Sequence, residues 1–175
     1  MPIEQPGDSG QVQQILAVEY LRRLYAKATD LIGTGQSADL DLGLQIYQRI
    51  FTADVQIRTT GGTGEGFAAT GPDKWAEVVA GALAQYNATQ HLIGTQLVEI
   101  SNVQRDADGR LQAGEATMES YLNAWHARPE RTVYVFIGTY FDKVRYTPDS
   151  GWQIYDMTLQ EVSSENREMG DLPRD

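Results

Sequence analysis

Thr89-Gln90-His91-Leu92-Ile93-Gly94 opens the stretch at which the hydrophobic period of this chain changes to two. From there, strands are predicted at about 89–101, 113–127, 132–147 and 151–162. They are separated by Asp106-Ala107-Asp108-Gly109, by Arg128-Pro129-Glu130-Arg131 and by Thr147-Pro148-Asp149-Ser150-Gly151, which are hairpin signals. Helices first and a meander of long strands afterwards is an α+β pattern. Strands of this length must curve. The expected architecture is therefore a cone-shaped, antiparallel-rich β-sheet wrapped around three helices of the N-terminal half, with a pocket between sheet and helices.

Upstream of Thr89 the spacing is helical. In 11–32, Leu16, Leu21, Leu24, Ala28 and Leu31 recur at three-to-four intervals, and Glu19, Arg22, Arg23 and Lys27 fall mostly on the other side. Gly33-Thr34-Gly35 stops this helix. A short second helix runs through Leu44, Tyr47, Ile50 and Phe51, and 53–60 reads as a strand. The loop 61–71 carries Gly-Gly-Thr-Gly-Glu-Gly but lacks the Lys-Ser/Thr of a phosphate loop, so it reads as a flexible lid or edge loop. Pro72 sits at a first helical position. Trp75, Val78, Val79, Ala82, Leu83 and Tyr86 then make one face of a third helix, more simply core than a stack for a ligand. Residues 1–10 and 163–175 read as flexible tails, and 11–162 as one domain.

The chain has 175 residues, enough for one domain with a real core. Its formal charge of −10 argues against nucleic acid and anionic membrane surfaces as partners. There is no cysteine, which excludes disulfides, a thiolate nucleophile and thiolate-held metals. The start of the chain has no apolar signal segment, and no apolar run approaches the roughly 20 residues of a membrane helix. A cytoplasmic enzyme or binding protein is the default.

Only two histidines occur, His91 and His126. An imidazole aimed into an apolar cavity is the most accessible general base near neutral pH. Its plain alternative is a core histidine satisfied by one hydrogen bond. Asp30 stands near the end of the first helix, where an acid is electrostatically unfavourable and asks for a reason. Tyr25 is five residues earlier, a rotation of about 140°, so the two border a common cavity only if it lies across the helix end. Tyr25 is open to two readings, core tyrosine or proton donor. His126, near a strand end, is equally open between surface and pocket. Asp142 and Arg145 read as strand-surface charges. Two histidines and scattered acids make no recognisable metal triad, and neither metal nor cofactor is expected.

Four stretches carry a resemblance: Tyr25-Ala26-Lys27-Ala28-Thr29-Asp30; Ile50-Phe51-Thr52-Ala53-Asp54-Val55; Thr89 to Gly94; and Gly138-Thr139-Tyr140-Phe141-Asp142 leading to Gly151-Trp152-Gln153-Ile154. Together, over roughly 12–162, they resemble the SnoaL-like family of the nuclear transport factor two-like superfamily. That resemblance implies a cystatin-like α+β barrel. The residues look most like its dehydratase and dehydrochlorinase branch, which includes scytalone dehydratase, bile-acid dehydratases and hexachlorocyclohexane dehydrochlorinase. By that resemblance Asp30 and His91 match the branch's His–Asp pair, His126 a second pocket histidine, and Tyr25 the tyrosine–aspartate spacing of the bile-acid dehydratases. The chain departs from scytalone dehydratase at Thr29, where that enzyme has tyrosine, and in a first strand without tyrosine.

The expected function is a cofactor-independent lyase. His91, oriented by Asp30, would take a proton from carbon, and Tyr25, with His126, would assist the leaving group or an enolate oxygen. Ile93, Leu122 and Tyr140 are expected to line a cavity for a small, largely apolar ring compound. The alternatives are an isomerase or cyclase using the same base, an epoxide hydrolase, or a non-catalytic ligand-binding or dimerisation module. A homodimer burying the outer face of the sheet is expected because long exposed strands have to be covered.

Overall fold

The computed structural model describes residues 9–62 and 66–169. Helix α1 (Ser9–Gly33) buries Val18, Leu21, Tyr25, Ala28 and Ile32, a stripe at three-to-four spacing that faces the core. Helix α2 (Ser37–Ile50) lies against it at Gly43, where a Cβ would come within 3.0 Å of the Ala28 carbonyl oxygen and closer still to Ile32. A glycine is what lets the two helices approach there. Strand β1 (Phe51–Thr60) follows α2 directly, two residues earlier than expected, because Phe51 and Thr52 are already buried. Strand β2 (Ala68–Thr70) returns antiparallel on its edge. Gly71, at φ +85°, turns the chain into α3 (Pro72–Leu83), and its N–H donates to the Val55 carbonyl at 2.9 Å, pinning the helix start to β1.

The remaining strands, β3 (Ala88–Arg105), β4 (Leu111–Ala127), β5 (Thr132–Thr147) and β6 (Gly151–Glu168), form the antiparallel meander read from the period of two. The sheet order is β2-β1-β6-β5-β4-β3, with β1 running parallel to β6. Register shifts at Gly94/Gln96, Ile137/Gly138 and Lys143/Val144 interrupt the ladders, and such bulges bend and twist a strand. Three helices plus a curved, mostly antiparallel sheet make the α+β cone anticipated from the sequence.

Two boundaries differ from expectation. Ser163–Glu168, read as the start of a tail, continues β6, because β5 extends alongside it with Ile137 opposite Ser163 and Thr132 opposite Glu168. Ser9 and Gly10 belong to α1. The remaining residues assigned to tails, 1–8 and 170–175 (Met169 excepted), lie outside the described residues, as do 63–65 at the centre of the glycine-rich loop. The end of that loop is the edge strand β2.

The concave face of the sheet packs on the helices through Met118, Leu122, Tyr140, Val144, Ile154 and Met157, all buried. On the convex face Leu92, Tyr121, Trp125, Ile137 and Phe141 are exposed, each 41% or more. No helix among the described residues is long and apolar enough to cross a membrane.

Candidate active site

α1 crosses β3, and the crossing carries the first polar cluster. Asp30, in the last turn of α1, accepts three hydrogen bonds from β3. They come from His91 Nδ1 to Oδ1 (2.7 Å), from the His91 backbone N–H to Oδ2 (3.2 Å) and from Thr89 Oγ1 to Oδ1 (3.1 Å). Thr89 and His91 reach it together because alternate residues of a strand share a face. This answers why an acid stands near a helix C-terminus: three donors offset the unfavourable dipole. A carboxylate oxygen only accepts, so the proton of the neutral His91 ring sits on Nδ1, leaving Nε2 as a lone pair.

His91 lines a cavity of about 400 Å³ between the helices and the sheet, whereas Asp30 stands behind it, outside the lining. The walls are apolar, with Leu122, Ala124, Phe136 and Leu159 from the sheet and Val79 and Leu83 from α3. Trp75 and Tyr86 also line it, so those two are both core and cavity. Tyr140, like Leu122, lines the cavity, as is expected of Ile93 too. Ile93 does not: it packs against the core outside the cavity lining. It shares the inward face of β3 with His91, but α1 covers it there, held to β3 on one side by Asp30–His91 and on the other by Gln96 Nε2 donating to the Glu19 carbonyl (3.1 Å).

His126 is buried and lines the same cavity. β4 pairs with β3 so that His126 stands opposite Thr89 and Ala124 opposite His91, and the two imidazoles meet edge to face at 5.4 Å. His126 Nδ1–H donates to the Tyr134 carbonyl at 3.1 Å, which again leaves Nε2 as the lone pair. Burial, together with the neighbouring His91 ring, pushes its pKa down to about 4. At neutral pH His126 is a hydrogen-bond acceptor and carries no charge.

Tyr25 is buried against Tyr47, Phe51 and Tyr140 and borders the cavity. Its hydroxyl accepts a hydrogen bond from Trp75 Nε1–H (3.1 Å). Burial raises its pKa, with Arg22 offsetting part of the rise, and burial drives Tyr140 well above the ordinary phenol range. Both phenols are therefore protonated donors at neutral pH.

Sequence reasoning missed a second polar cluster. Arg22 is fully buried, not on the solvent side of α1, and Asp142 is buried, not a surface charge of β5. They form a bidentate ion pair, Arg22 Nε to Asp142 Oδ2 at 3.2 Å and Arg22 Nη2 to Oδ1, while Nη1 donates to Met157 Sδ. The guanidinium lies 3.8 Å from the Tyr140 ring centre and 4.5 Å from that of Tyr25. Burial opposes the charge on Arg22, yet the Asp142 carboxylate and the tyrosines hold its pKa above the ordinary value. A signal was present: Val18, Arg22, Tyr25 and Thr29 continue one buried stripe of α1. Arg145 is exposed as expected, paired with Asp54.

Among the described residues no group of three or more His, Asp or Glu is placed to hold a metal ion. What the cluster offers is a proton acceptor of fixed tautomer at an apolar cavity, with protonated phenols nearby.

Comparison with known proteins gives a family match and a set of similar folds. Residues 16–158 match the model of the SnoaL-like domain. Comparison with curated protein sequences finds no match. Among solved structures, a candidate scytalone dehydratase from Novosphingobium aromaticivorans is 18% identical with a TM-score of 0.64, covering 91% of each chain. A hexachlorocyclohexane dehydrochlorinase from Novosphingobium barchaimii is 10% identical with a TM-score of 0.67, covering 96% of this chain and 100% of that one. A candidate dehydratase of the NTF2-like family from Streptomyces avermitilis is 12% identical with a TM-score of 0.57, covering 86% and 97%. At these identities the likeness is one of fold.

Proposed function

The chain belongs to the SnoaL-like domain family, and from that membership we propose a cofactor-independent lyase that eliminates a leaving group from a small, largely apolar ring compound. One observation carries the reading. His91 Nδ1 is tied to a carboxylate that is itself held by two further donors, so Nε2 is a base of fixed orientation at the cavity wall.

His91 Nε2 takes the proton from a carbon beside an activating group. The electrons of that C–H bond form the new double bond as the C–O bond to the leaving hydroxyl breaks. Asp30 stabilises the imidazolium while it lasts. The imidazolium returns the proton to the departing oxygen, which leaves as water. Tyr25 donates a hydrogen bond to the oxygen that accumulates charge, and His126, neutral at working pH, accepts one from the substrate. Leu122 and Tyr140 hold the ring. The names of two of the similar folds, a candidate scytalone dehydratase and a hexachlorocyclohexane dehydrochlorinase, are those of elimination enzymes, which supports elimination over isomerisation.

The test needs no natural substrate. 5-Nitrobenzisoxazole loses its ring C–H proton to a base while its N–O bond opens, giving a coloured phenolate with no cofactor. The native protein should turn it over with saturation, and His91→Ala should lower the rate at least about a hundredfold. Turnover that survives His91→Ala would remove His91 from the role.

We further propose that the exposed apolar residues of the convex face are covered by a second copy of the chain. Light scattering at micromolar concentration should give the mass of a dimer, and a monomer would refute it.

A further inference from the structure

Arg128 stands at the rim of the cavity, in the turn that joins β4 to β5. Its guanidinium carbon lies 5.4 Å from the centre of the Tyr86 ring and 5.8 Å from that of Tyr134. Both rings line the cavity and both pack on His126. One edge of the fork is fixed, with Nη1 donating to Asn166 Oδ1 at 2.6 Å. Arg22, Arg23, Arg58, Arg110, Arg145 and Arg167 each meet a carboxylate. Among the described residues Arg128, like Arg49 and Arg105, meets none, although the chain carries a net charge of −10, and of these three Arg128 alone lines the cavity. A half-buried guanidinium held by an amide and two aromatic faces, with donors to spare, is a receptor for a planar anion.

Among the described residues Glu161 is the acid that lines the cavity, and it does not compete for that place. Asp30 stands behind His91, outside the lining, and accepts from Thr89 and His91. Glu161 is on another part of the rim, beside Gly61 and Gly62, and accepts from Ser164 Oγ at 2.6 Å. A negative substituent is repelled from the Glu161 side and drawn to the Arg128 side, which sets the direction in which a ring enters. His126 lies next along that path, neutral and edge-on to His91.

We propose that Arg128 is a specificity-determining anion subsite, and that the substrate is a ring compound bearing a carboxylate that docks there while the ring extends past His126 toward His91. The proposal rests on the cavity assigned above as the substrate site.

The test is calorimetric binding of 2-naphthoate and of its uncharged analogue 2-naphthamide, neither of which can undergo the elimination. The native protein should bind naphthoate about tenfold or more tighter than naphthamide, as expected for a charge-assisted hydrogen bond. Arg128→Gln should bind the two alike, with naphthamide affinity unchanged, which also shows the cavity intact. Equal binding by the native protein, failure of both probes to bind at millimolar concentration, or a preference that persists in Arg128→Gln would each overturn the proposal. Should Arg128→Gln weaken both ligands, Arg128→Lys decides: a retained preference supports the subsite and a lost one refutes it. His91→Ala should keep the naphthoate preference, so an inactive protein would sink the lyase reading and leave this one standing.

Discussion

Two polar pairs tie α1 to the sheet, and they do opposite things. Arg22–Asp142 is sealed: both side chains are fully buried, the fork is spent on Asp142 and Met157, and aromatic rings cover it. Asp30–His91 is left ajar, with the Asp30 side chain 23% exposed and one ring nitrogen of His91 uncommitted at a cavity. A pair sealed from both solvent and the cavity can only hold. A pair with one lone pair left over can react. The difference is in what surrounds each pair rather than in residue type, since both join a carboxylate to a cationic or protonatable nitrogen.

The contrast is sharpest in stability. Removing one member of a buried ion pair strands the other charge without water, so Arg22→Met and Asp142→Leu should each cost about 3–5 kcal/mol, read from urea midpoints. Asp30→Asn, at a partly exposed site, should cost far less. Equal losses at the two sites would erase the distinction.

In turnover the order reverses. Asp30→Asn should leave the fold intact yet slow 5-nitrobenzisoxazole opening about tenfold or more, because an amide does not stabilise the imidazolium and permits the wrong tautomer. As the two residues act as one unit, Asp30→Asn with His91→Ala should be scarcely slower than His91→Ala alone. Losses that multiply would mean independent roles.

The smallest effect concerns pH. His126 stays neutral in the folded chain down to about 4, whereas an unfolded histidine binds its proton from about pH 6.5 downward. Between those values the unfolded state holds more protons, so stability falls as pH drops from about 6.5 toward 4 and levels once both states are protonated. His126→Asn should flatten that part of the urea-midpoint profile. An unchanged slope would mean His126 is solvated and no member of the buried cluster.

The fold was readable because a change of hydrophobic period at Thr89 is a property of neighbouring residues. Leu122 and Tyr140 lie on strands that this period delimits, whereas His91 stood out by its residue type and by the family resemblance. Ile93 obeyed the alternation and still missed the cavity, because which inward-facing residues a helix covers depends on where α1 crosses β3. Arg22 and Asp142 were harder. Charged residues are almost never fully buried without a partner, and here the partners are 120 positions apart, so neither one's surroundings announce the other. Arg128 was hidden differently: its turn was legible, but the Tyr86 and Tyr134 faces that give it a purpose come from the turn between α3 and β3 and from β5.

The parallel pairing of β1 with β6 sets an order of assembly. Each strand of the meander finds its neighbour as soon as the next hairpin closes, but β1 flanks the last strand of the chain, about a hundred positions away, with Phe51 opposite Ile154. Contacts of such sequence separation are slow to form, since a long loop must close first. On the ribosome, the cradle of helices waits for its final wall until β6 has emerged, so a chain cut short before Gly151 would hold Asp30 and His91 in sequence and have no closed room in which to use them.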